Sequence, residues 1–328
     1  MLRKNDYIWS MKRILLLAAA VLCALTATAQ TWDGPQWAVV NSSSCFMRLK
    51  PDYESGNETQ ALMGTVLRVH GAERYWRQVD APDYPDVWTT EHNIALMDEA
   101  GKDAWIAAPK YLCAVEYTHL FAEPSLTAER VCDFTLGDLV RKGTESRRGW
   151  VQVFLPSGRA CWARAYDVMD FGQWVRTREA TREALLATAR QFVGTPYMWG
   201  GASVKHFDCS GFTQFVYRQC GVVLPRNARE QIHTGEEVPY DFDKMLPGDL
   251  LFYGTPASAK KKMVVAHVAM YYGDRKIIHS SQTVRISSLV PEGEDFYDRQ
   301  PLAVRRILGH VDEPGSGIRS VSVRPWYY

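Results

Sequence analysis

An internal repeat in the first half of the chain constrains its fold more than any other feature. Trp76 lies 12 residues before Trp88, and Trp150 lies 12 residues before Trp162. Each pair follows a proline and a glycine that are themselves 13 residues apart. The two copies are offset by 73 residues at the start and by 74 at the end. Self-similarity of this kind indicates a duplicated module of about 60–70 residues.

Each copy has the residue pattern of a small all-β unit. Trp150–Phe154 mixes aromatic and β-branched residues, and Ser157-Gly158 marks a turn before a further strand at Ala160–Ala163. Short strands with regular turns in so few residues predict two small barrels. One β-sandwich of about 140 residues is the alternative.

The pattern changes from strand-like to helical near residue 173, where we place a domain boundary. We expect Thr177 to be the N-cap of a helix that ends at Gly194 and Pro196. The apolar residues at helical spacing in this helix are Leu185, Leu186, Ala189, Phe192 and Val193. An α+β region therefore follows the β repeat.

The first thirty residues have the pattern of a secretory signal peptide. Lys12 and Arg13 precede the apolar run 14–25, which ends at Ala27-Thr28-Ala29. The run is shorter than the roughly 20 residues that a membrane-spanning helix needs. We expect cleavage near Ala29 and export to the periplasm or the extracellular space, with no integral membrane segment afterwards. A buried or anchoring N-terminal helix is the alternative.

Composition excludes several classes of protein. The chain of 328 residues is 46% hydrophobic, which is too much for a disordered or fibrous protein. Its 38 Lys+Arg and 37 Asp+Glu give a net charge of +1, without the basic excess of a nucleic-acid binder. Seven cysteines are too few for a disulfide scaffold of this length, but they leave room for a catalytic thiol.

The segment from Phe207 to Tyr217 carries a candidate nucleophile. Cys209 stands in an Asp-Cys-Ser-Gly tetrad, and the residues after it have the spacing of a buried helix face, at Phe212, Phe215 and Val216. We therefore expect a helix that begins near Cys209. The positive end of a helix dipole and its unpaired N–H groups favour the reactive thiolate. A buried structural cysteine is the alternative for this residue taken alone.

Two histidines are candidates for the base that a thiol nucleophile needs. His267 lies in a strongly apolar strand run, where alternation predicts that it shares a face with Val265 and Ala269. His279 lies in the next run along the chain. A hairpin of the two runs would bring both imidazoles to one face. Two unrelated structural histidines are the alternative.

The C-terminal part, about residues 180–310, resembles the NlpC/P60 family of papain-like cysteine peptidases. Separated motifs in the family's order carry the resemblance: Gly194–Gly201, Asp208–Phe212, Leu224–Arg226, Pro247–Phe252, Ala266–Met270 and His279-Ser280. The family cleaves peptide links in bacterial cell-wall peptides, commonly between the γ-carboxyl of D-Glu and the following diamino acid. The first half is similar to bacterial SH3 domains, in which an Arg-x-x-Pro opening precedes the repeated tryptophans.

The resemblance implies a role for each motif residue. Cys209 would be the nucleophile, His267 the general base and acid, and His279 the residue that orients His267. Tyr197 would line the site near the oxyanion, and the residues that help to hold the substrate would be Asp208 and Ser210. No metal or other cofactor is implied.

The arrangement of two SH3-like modules before such a domain resembles that of γ-D-glutamyl-L-diamino acid endopeptidases, also called dipeptidyl-peptidase VI. In those relatives a Glu and a Tyr of the first module receive the free amine of an N-terminal L-Ala. Glu58 and Tyr84 are the matching candidates here. One departure concerns peptide recognition: relatives often carry Asp-Ser after Pro-Arg, whereas this chain has Asn227-Ala228.

The sequence thus predicts an α+β protein, with a papain-like NlpC/P60 domain preceded by two SH3-like β-barrels. The expected boundaries are a signal peptide at 1–29, SH3-like domains at 30–110 and 111–172, and the peptidase domain at 173–328. We expect a monomer that hydrolyses murein-derived peptides such as L-Ala-γ-D-Glu-diaminopimelate. The alternatives are an endopeptidase or amidase that acts on intact peptidoglycan, and a wall-binding protein without activity.

Overall fold

The structure is a computed structural model that describes residues 32–323. It is a mixed α/β protein with mostly strands and few helices. The predicted signal peptide lies outside the described residues. Within residues 32–323, no helix combines the length and the apolar character that a membrane crossing requires.

A first sheet of seven antiparallel strands contains the first copy of the repeat. Its order is β3-β2-β6-β5-β4-β1-β7. The strands are β1 (Trp37–Val40), β2 (Cys45–Arg48), β3 (Asn57–Ala61), β4 (Val66–Glu73), β5 (Trp76–Ala81), β6 (Tyr84–Thr90) and β7 (Ile94–Met97).

A second sheet contains the second copy and repeats this order strand for strand, as β10-β9-β13-β12-β11-β8-β14. Each sheet packs around its own cluster of buried apolar side chains, which a single two-sheet sandwich would not have. The strands are β8 (Lys110–Cys113), β9 (Tyr117–Phe121), β10 (Arg130–Thr135), β11 (Leu139–Arg147), β12 (Trp150–Phe154), β13 (Ala160–Arg164) and β14 (Val168–Asp170).

The helices of the described residues are short. They are α1 (Glu99–Ala107), α2 (Phe171–Thr177), α3 (Arg182–Gln191), α4 (Cys209–Gln219) and α5 (Ala228–Gln231), with 3₁₀ turns at Glu91–Asn93, Ala165–Asp167 and Val321–Val323. The predicted N-cap of the helix after the repeat was wrong. Thr177 ends α2, and Thr181 caps α3 instead, because its hydroxyl accepts from Ala184 N at 3.1 Å.

A third sheet of six antiparallel strands forms the second half of the molecule, in the order β18-β23-β19-β20-β21-β22. Its strands are β18 (Glu236–Val238), β19 (Leu250–Thr255), β20 (Val264–Gly273), β21 (Lys276–Ser281), β22 (Thr283–Ser288) and β23 (Ala303–Arg306). Two small pairs complete the strands: β15 (Ala202–Ser203) with β16 (His206–Phe207), and β17 (Val222–Val223) with β24 (Arg319–Ser320).

Helix α4 lies in the main core, against one face of the third sheet. Its buried residues Phe212, Phe215 and Val216 belong to one apolar cluster with sheet residues such as Phe252 and Met270. Burial of these side chains supplies the stabilisation that a helix of 11 residues lacks by itself. The start of α4 is therefore held firmly against the sheet.

A β-bulge between β19 and β20 changes the predicted alternation. Tyr253 pairs with His267, but the next residue of β19, Gly254, pairs with Val265. Val265 consequently packs with the cluster around α4, whereas Ala269 packs with the cluster on the opposite face of the sheet. The predicted common face of His267 with both residues was therefore wrong, because one extra residue re-aims the side chains.

Candidate active site

Cys209 is the first residue of α4, as the sequence predicted. Asp208 caps the helix, and its Oδ1 accepts from Gly211 N at 2.7 Å. The thiol lies against the third sheet, where the backbone N–H of Val268 on β20 donates to it. The candidate nucleophile thus lies against β20, the strand that also carries His267.

The thiol of Cys209 is neutral in this environment. Burial raises its pKa to about 11, and the nearby Asp208 carboxylate adds to the increase. The Val268 and Ser210 backbone groups lower the pKa, but by less. The expectation that the helix terminus favours the thiolate therefore describes a real but smaller effect, and desolvation dominates.

The two candidate histidines hydrogen bond to each other, and the predicted hairpin is confirmed. Strands β20 and β21 pair antiparallel, and His267 Nε2 lies 2.8 Å from His279 Nδ1. Burial lowers the pKa of His267 to about 4 and that of His279 to about 3. Both imidazoles are therefore neutral near pH 7, and a neutral imidazole can accept a proton.

Arg226 connects the start of α4 to the first sheet, a role that the sequence motif did not reveal. Its side chain is 4% exposed and forms a bidentate pair with Asp208, at 2.6 Å from Nη2 to Oδ2 and 3.1 Å from Nη1 to Oδ1. Nη1 also donates to Ser210 Oγ at 3.1 Å, and Nε donates to Thr59 Oγ1 on β3 at 2.8 Å. The guanidinium thus ties three segments together around the thiol.

Asp208 and Ser210 line the cleft beside Cys209, but their side chains are engaged within the protein. Asp208 Oδ2 accepts from Gly200 N at 3.0 Å, in addition to its bonds to Arg226. Ser210 Oγ donates to Asp208 Oδ1 at 3.3 Å. Substrate contacts by these two residues stay a prediction.

Glu58 and Tyr84 of the first sheet meet at the same cleft. The Tyr84 hydroxyl donates to Glu58 Oε2 at 2.5 Å. Burial, and then this bond to an anion, raises the pKa of Tyr84 to about 12. The carboxylate candidate from β3 and the phenol candidate from β6 therefore form one polar site, although 26 residues separate them.

The cleft has a volume of about 240 Å³ and lies between the first sheet and the second half of the chain. Tyr197 lines it, and the nearby Cys209 thiol contributes to the raised pKa of this phenol after burial. The Trp199 side chain at its edge is 66% exposed. The complete lining is Glu58, Tyr84, Tyr197, Trp199, Asp208, Cys209, Ser210, Asn227, Ala228, Arg229, Val265 and Ala266.

Asn227-Ala228 stands where the family resemblance led us to expect Asp-Ser, and this difference changes the chemistry of one wall of the cleft. Asn227 Nδ2 donates to Glu230 Oε1 at 3.3 Å, and Ala228 offers no side-chain hydrogen bond. This wall therefore has neither the carboxylate nor the hydroxyl of an Asp-Ser pair.

Comparison of the sequence with known proteins identifies a family and several relatives. The model of the NlpC/P60 family matches residues 194–305, which contain the cysteine and both histidines. A gamma-D-glutamyl-L-lysine dipeptidyl-peptidase of Bacillus cereus is 30% identical over 262 residues, which are 76% of this chain and 75% of the relative. Dipeptidyl-peptidase 6 of Lysinibacillus sphaericus is 29% identical over 81% of this chain and 96% of its own length.

A solved structure extends the likeness to three dimensions. The crystal structure of an NlpC/P60 family protein from Bacillus cereus superposes with a TM-score of 0.67 at 25% identity. The superposition covers 83% of this chain and 99% of that protein. The chain therefore belongs to the NlpC/P60 family.

Proposed function

We propose that the protein is a cysteine endopeptidase that hydrolyses the bond between γ-D-Glu and a diamino acid in murein-derived peptides. The observation that carries the proposal is the single cleft in which Cys209 at a helix start and the Glu58–Tyr84 pair lie together. The names of the relatives support an endopeptidase that acts on peptidoglycan peptides. Diaminopimelate or lysine is the proposed diamino acid.

Attack by the thiol begins the proposed reaction. His267 takes the proton from Cys209 as the sulfur bonds to the γ-carbonyl carbon of D-Glu. Backbone N–H groups at the start of α4 stabilise the resulting oxyanion, together with the Tyr197 hydroxyl. Because thiol and imidazole are both neutral at rest, proton transfer accompanies attack and does not precede it.

Collapse of the tetrahedral intermediate breaks the carbon–nitrogen bond. Protonated His267 gives its proton to the leaving amine of the diamino acid, and a thioester of Cys209 remains. His267 then takes a proton from water as the oxygen attacks the thioester carbonyl. Collapse of this second intermediate breaks the carbon–sulfur bond, the sulfur takes the proton back from His267, and the dipeptide acid is released. His279 holds the His267 ring in position through the 2.8 Å bond in both half-reactions.

The free N-terminal amine of L-Ala is the proposed second point of recognition. Glu58 presents a carboxylate to the cleft, and a charge-assisted bond from an ammonium to a carboxylate is about twice as strong as a neutral one. Tyr84 donates to the same carboxylate and orients it. An acylated amine has no positive charge, so intact wall, in which L-Ala is linked to the glycan, is a poorer substrate.

We also propose the organisation of the whole chain. Residues 1–29 are a cleaved signal peptide, residues 30–110 and 111–172 are SH3-like domains, and residues 173–328 are the peptidase domain. The identical strand order of the two N-terminal sheets supports the pair of SH3-like domains. Export to the periplasm or beyond would place the enzyme, as a monomer, where murein peptides are found.

Removal of the nucleophile tests the reaction. Cys209→Ala should reduce cleavage of L-Ala-γ-D-Glu-diaminopimelate by at least about a thousandfold, because Cys209 supplies the only thiol among the residues that line the cleft. Cys132→Ala is the matched control, since it removes a partly buried free thiol of the second sheet. Mass spectrometry of the products measures both. Equal turnover by Cys209→Ala and Cys132→Ala would exclude the proposed mechanism.

A further inference from the structure

A chain of hydrogen bonds continues from the histidine pair into the loop after β22. His279 Nε2 lies 3.0 Å from Ser287 Oγ, and Ser287 Oγ donates to Asp295 Oδ2 at 2.6 Å. His279 and Ser287 are buried, whereas the Asp295 side chain is 43% exposed. The chain therefore runs from the reaction centre to a carboxylate that water can reach.

The carboxylate at the end of this chain determines the direction of every bond in it. An ionised carboxylate only accepts hydrogen bonds, so the Ser287 hydrogen points to Asp295 and the Ser287 oxygen accepts from His279 Nε2–H. A neutral imidazole with its proton on Nε2 has a bare Nδ1, which accepts from His267 Nε2–H. His267 is left with an unprotonated Nδ1, the state that a general base needs.

The loop at residues 289–302 contacts the same two imidazoles through the Tyr297 ring. The Tyr297 ring centre lies 5.0 Å from that of His279 and 5.8 Å from that of His267. Arg285 Nε lies 3.3 Å from Asp295 Oδ2, which holds the carboxylate at the end of the chain. The loop thus supplies both a ring that packs on the histidines and the anion that orders their protons.

Burial and two nearby arginines favour the neutral form of His267. Burial lowers the pKa of His267 most, and the cations Arg299 and Arg285 lower it further. Asp208 acts in the opposite direction. Arg285 is also the partner of Asp295, so the carboxylate at the end of the chain lies next to one of the two cations that act on His267.

We propose that Ser287 and Asp295 are positioning residues of the active site, and that they set the tautomers of His279 and, through it, of His267. This inference rests on the proposed function, in which His267 is the base. Neither residue lines the substrate cleft, so their effect falls on the chemical step and not on substrate binding.

Two variants test the proposal through both activity and proton position. Asp295→Ala frees the Ser287 hydroxyl to donate to His279 Nε2, which reverses the chain and protonates His267 Nδ1. Ser287→Ala removes the acceptor of His279 Nε2–H. We expect kcat for the tripeptide to fall about tenfold to hundredfold in each, with KM unchanged. The roughly 10⁴-fold loss for a carboxylate that touches a catalytic histidine directly is the upper bound.

Nitrogen-15 NMR of the imidazoles measures the tautomer of His279, which would not change if Asp295 had a merely structural role. In the Cys209→Ala background, His279 should carry its proton on Nε2, and Asp295→Ala should move a measurable fraction to Nδ1. Asp298→Ala, which removes a neighbouring exposed carboxylate of the same loop, should change neither kcat nor the tautomer. Ser287→Thr keeps the hydroxyl and should restore the Nε2 tautomer.

The two readouts separate failure of this inference from failure of the proposed function. The NMR experiment needs no turnover, so it applies even if the tripeptide is not the substrate. An unchanged His279 tautomer in Asp295→Ala, with kcat equal to that of Asp298→Ala, would overturn the positioning role. A changed tautomer without any activity on the tripeptide in the otherwise unaltered protein would instead refute the proposed substrate.

Discussion

At the scale of single residues, burial is the main influence on the reacting groups, because it raises the pKa of the Cys209 thiol to about 11 and lowers that of His267 to about 4. Cys209 and His267 stand out because a thiol before a helical apolar pattern and a histidine in an apolar strand are unusual. Arg226 was visible only as part of a motif, since its partners Asp208 and Thr59 lie 18 and 167 residues away in sequence. Asp295 lies in a polar loop where no local pattern distinguishes it from neighbouring carboxylates.

The pKa values predict that the resting thiol reacts slowly with alkylating reagents. Only the thiolate reacts, and burial raises the pKa of Cys209 to about 11. Alkylation of Cys209 by iodoacetamide at pH 7 should therefore be slower than that of an unperturbed cysteine, and should rise about tenfold per pH unit to pH 11. Peptide mass spectrometry after timed quenching measures the rate at this site.

The pH dependence also distinguishes two resting states. A neutral Cys209 thiol and a neutral His267 predict no plateau in the alkylation rate between pH 5 and pH 8. A fast, pH-independent rate across this range would show a preformed thiolate–imidazolium pair and contradict the neutral state. Cys209→Ala provides the blank, because it has no thiol at this position.

At the scale of elements, the sequence predicted the β repeat and helix α4, whereas it did not predict the details that depend on long-range strand pairing. The start of α4 at Cys209 and the hairpin of β20 and β21 follow from local periodicity. The bulge opposite Gly254 and the cap at Thr181 depend on strand register and on competing polar side chains. Closed barrels for the two N-terminal sheets stay a prediction.

The contact of β3 with the turn before α4 predicts a specific effect of one methyl group. Gly200 has φ +75°, and a Cβ there would lie 2.4 Å from Asn57 Nδ2 and 2.9 Å from the Glu58 carbonyl carbon. Gly200→Ala should therefore displace Glu58 and raise KM for the tripeptide about tenfold or more, which corresponds to the loss of a charge-assisted bond.

A second glycine provides the control for backbone strain. Gly149, in the turn between β11 and β12, has φ +87°, and a Cβ there would meet nothing within 4 Å. Gly149→Ala should cost similar stability, of order 1–2 kcal/mol, without a change in KM. Steady-state kinetics with thermal melts of both variants gives the comparison. Equal KM values would show that β3 does not position Glu58.

At the scale of the whole molecule, the first sheet and the catalytic half form one site. Gln60 Oε1 accepts from Ala202 N at 2.9 Å and from Ser203 Oγ at 3.1 Å. Leu62 is buried in the same apolar cluster as α4. These contacts join residues more than 100 positions apart, so composition and periodicity do not reveal them. The family resemblance alone suggested that the first module borders the cleft.

In the proposed function, the catalytic half acquires its selectivity from the first sheet. The nucleophile lies on α4, whereas Glu58 and Tyr84 belong to β3 and β6 of the first sheet. We propose that a substrate that spans both places its free amine at Glu58 and its scissile carbonyl at Cys209. The enzyme would thereby cleave after the second residue from the N-terminus, which is the basis of the dipeptidyl-peptidase activity we propose.

The most direct test of this account compares L-Ala-γ-D-Glu-diaminopimelate with its N-acetylated form, with mass spectrometry of the products. We expect the enzyme to release L-Ala-D-Glu from the free peptide, and kcat/KM to fall about a hundredfold when the amine is acetylated. In Glu58→Gln the two peptides should become nearly equal. Equal cleavage of both peptides by the unaltered enzyme, or cleavage at another bond, would contradict the account.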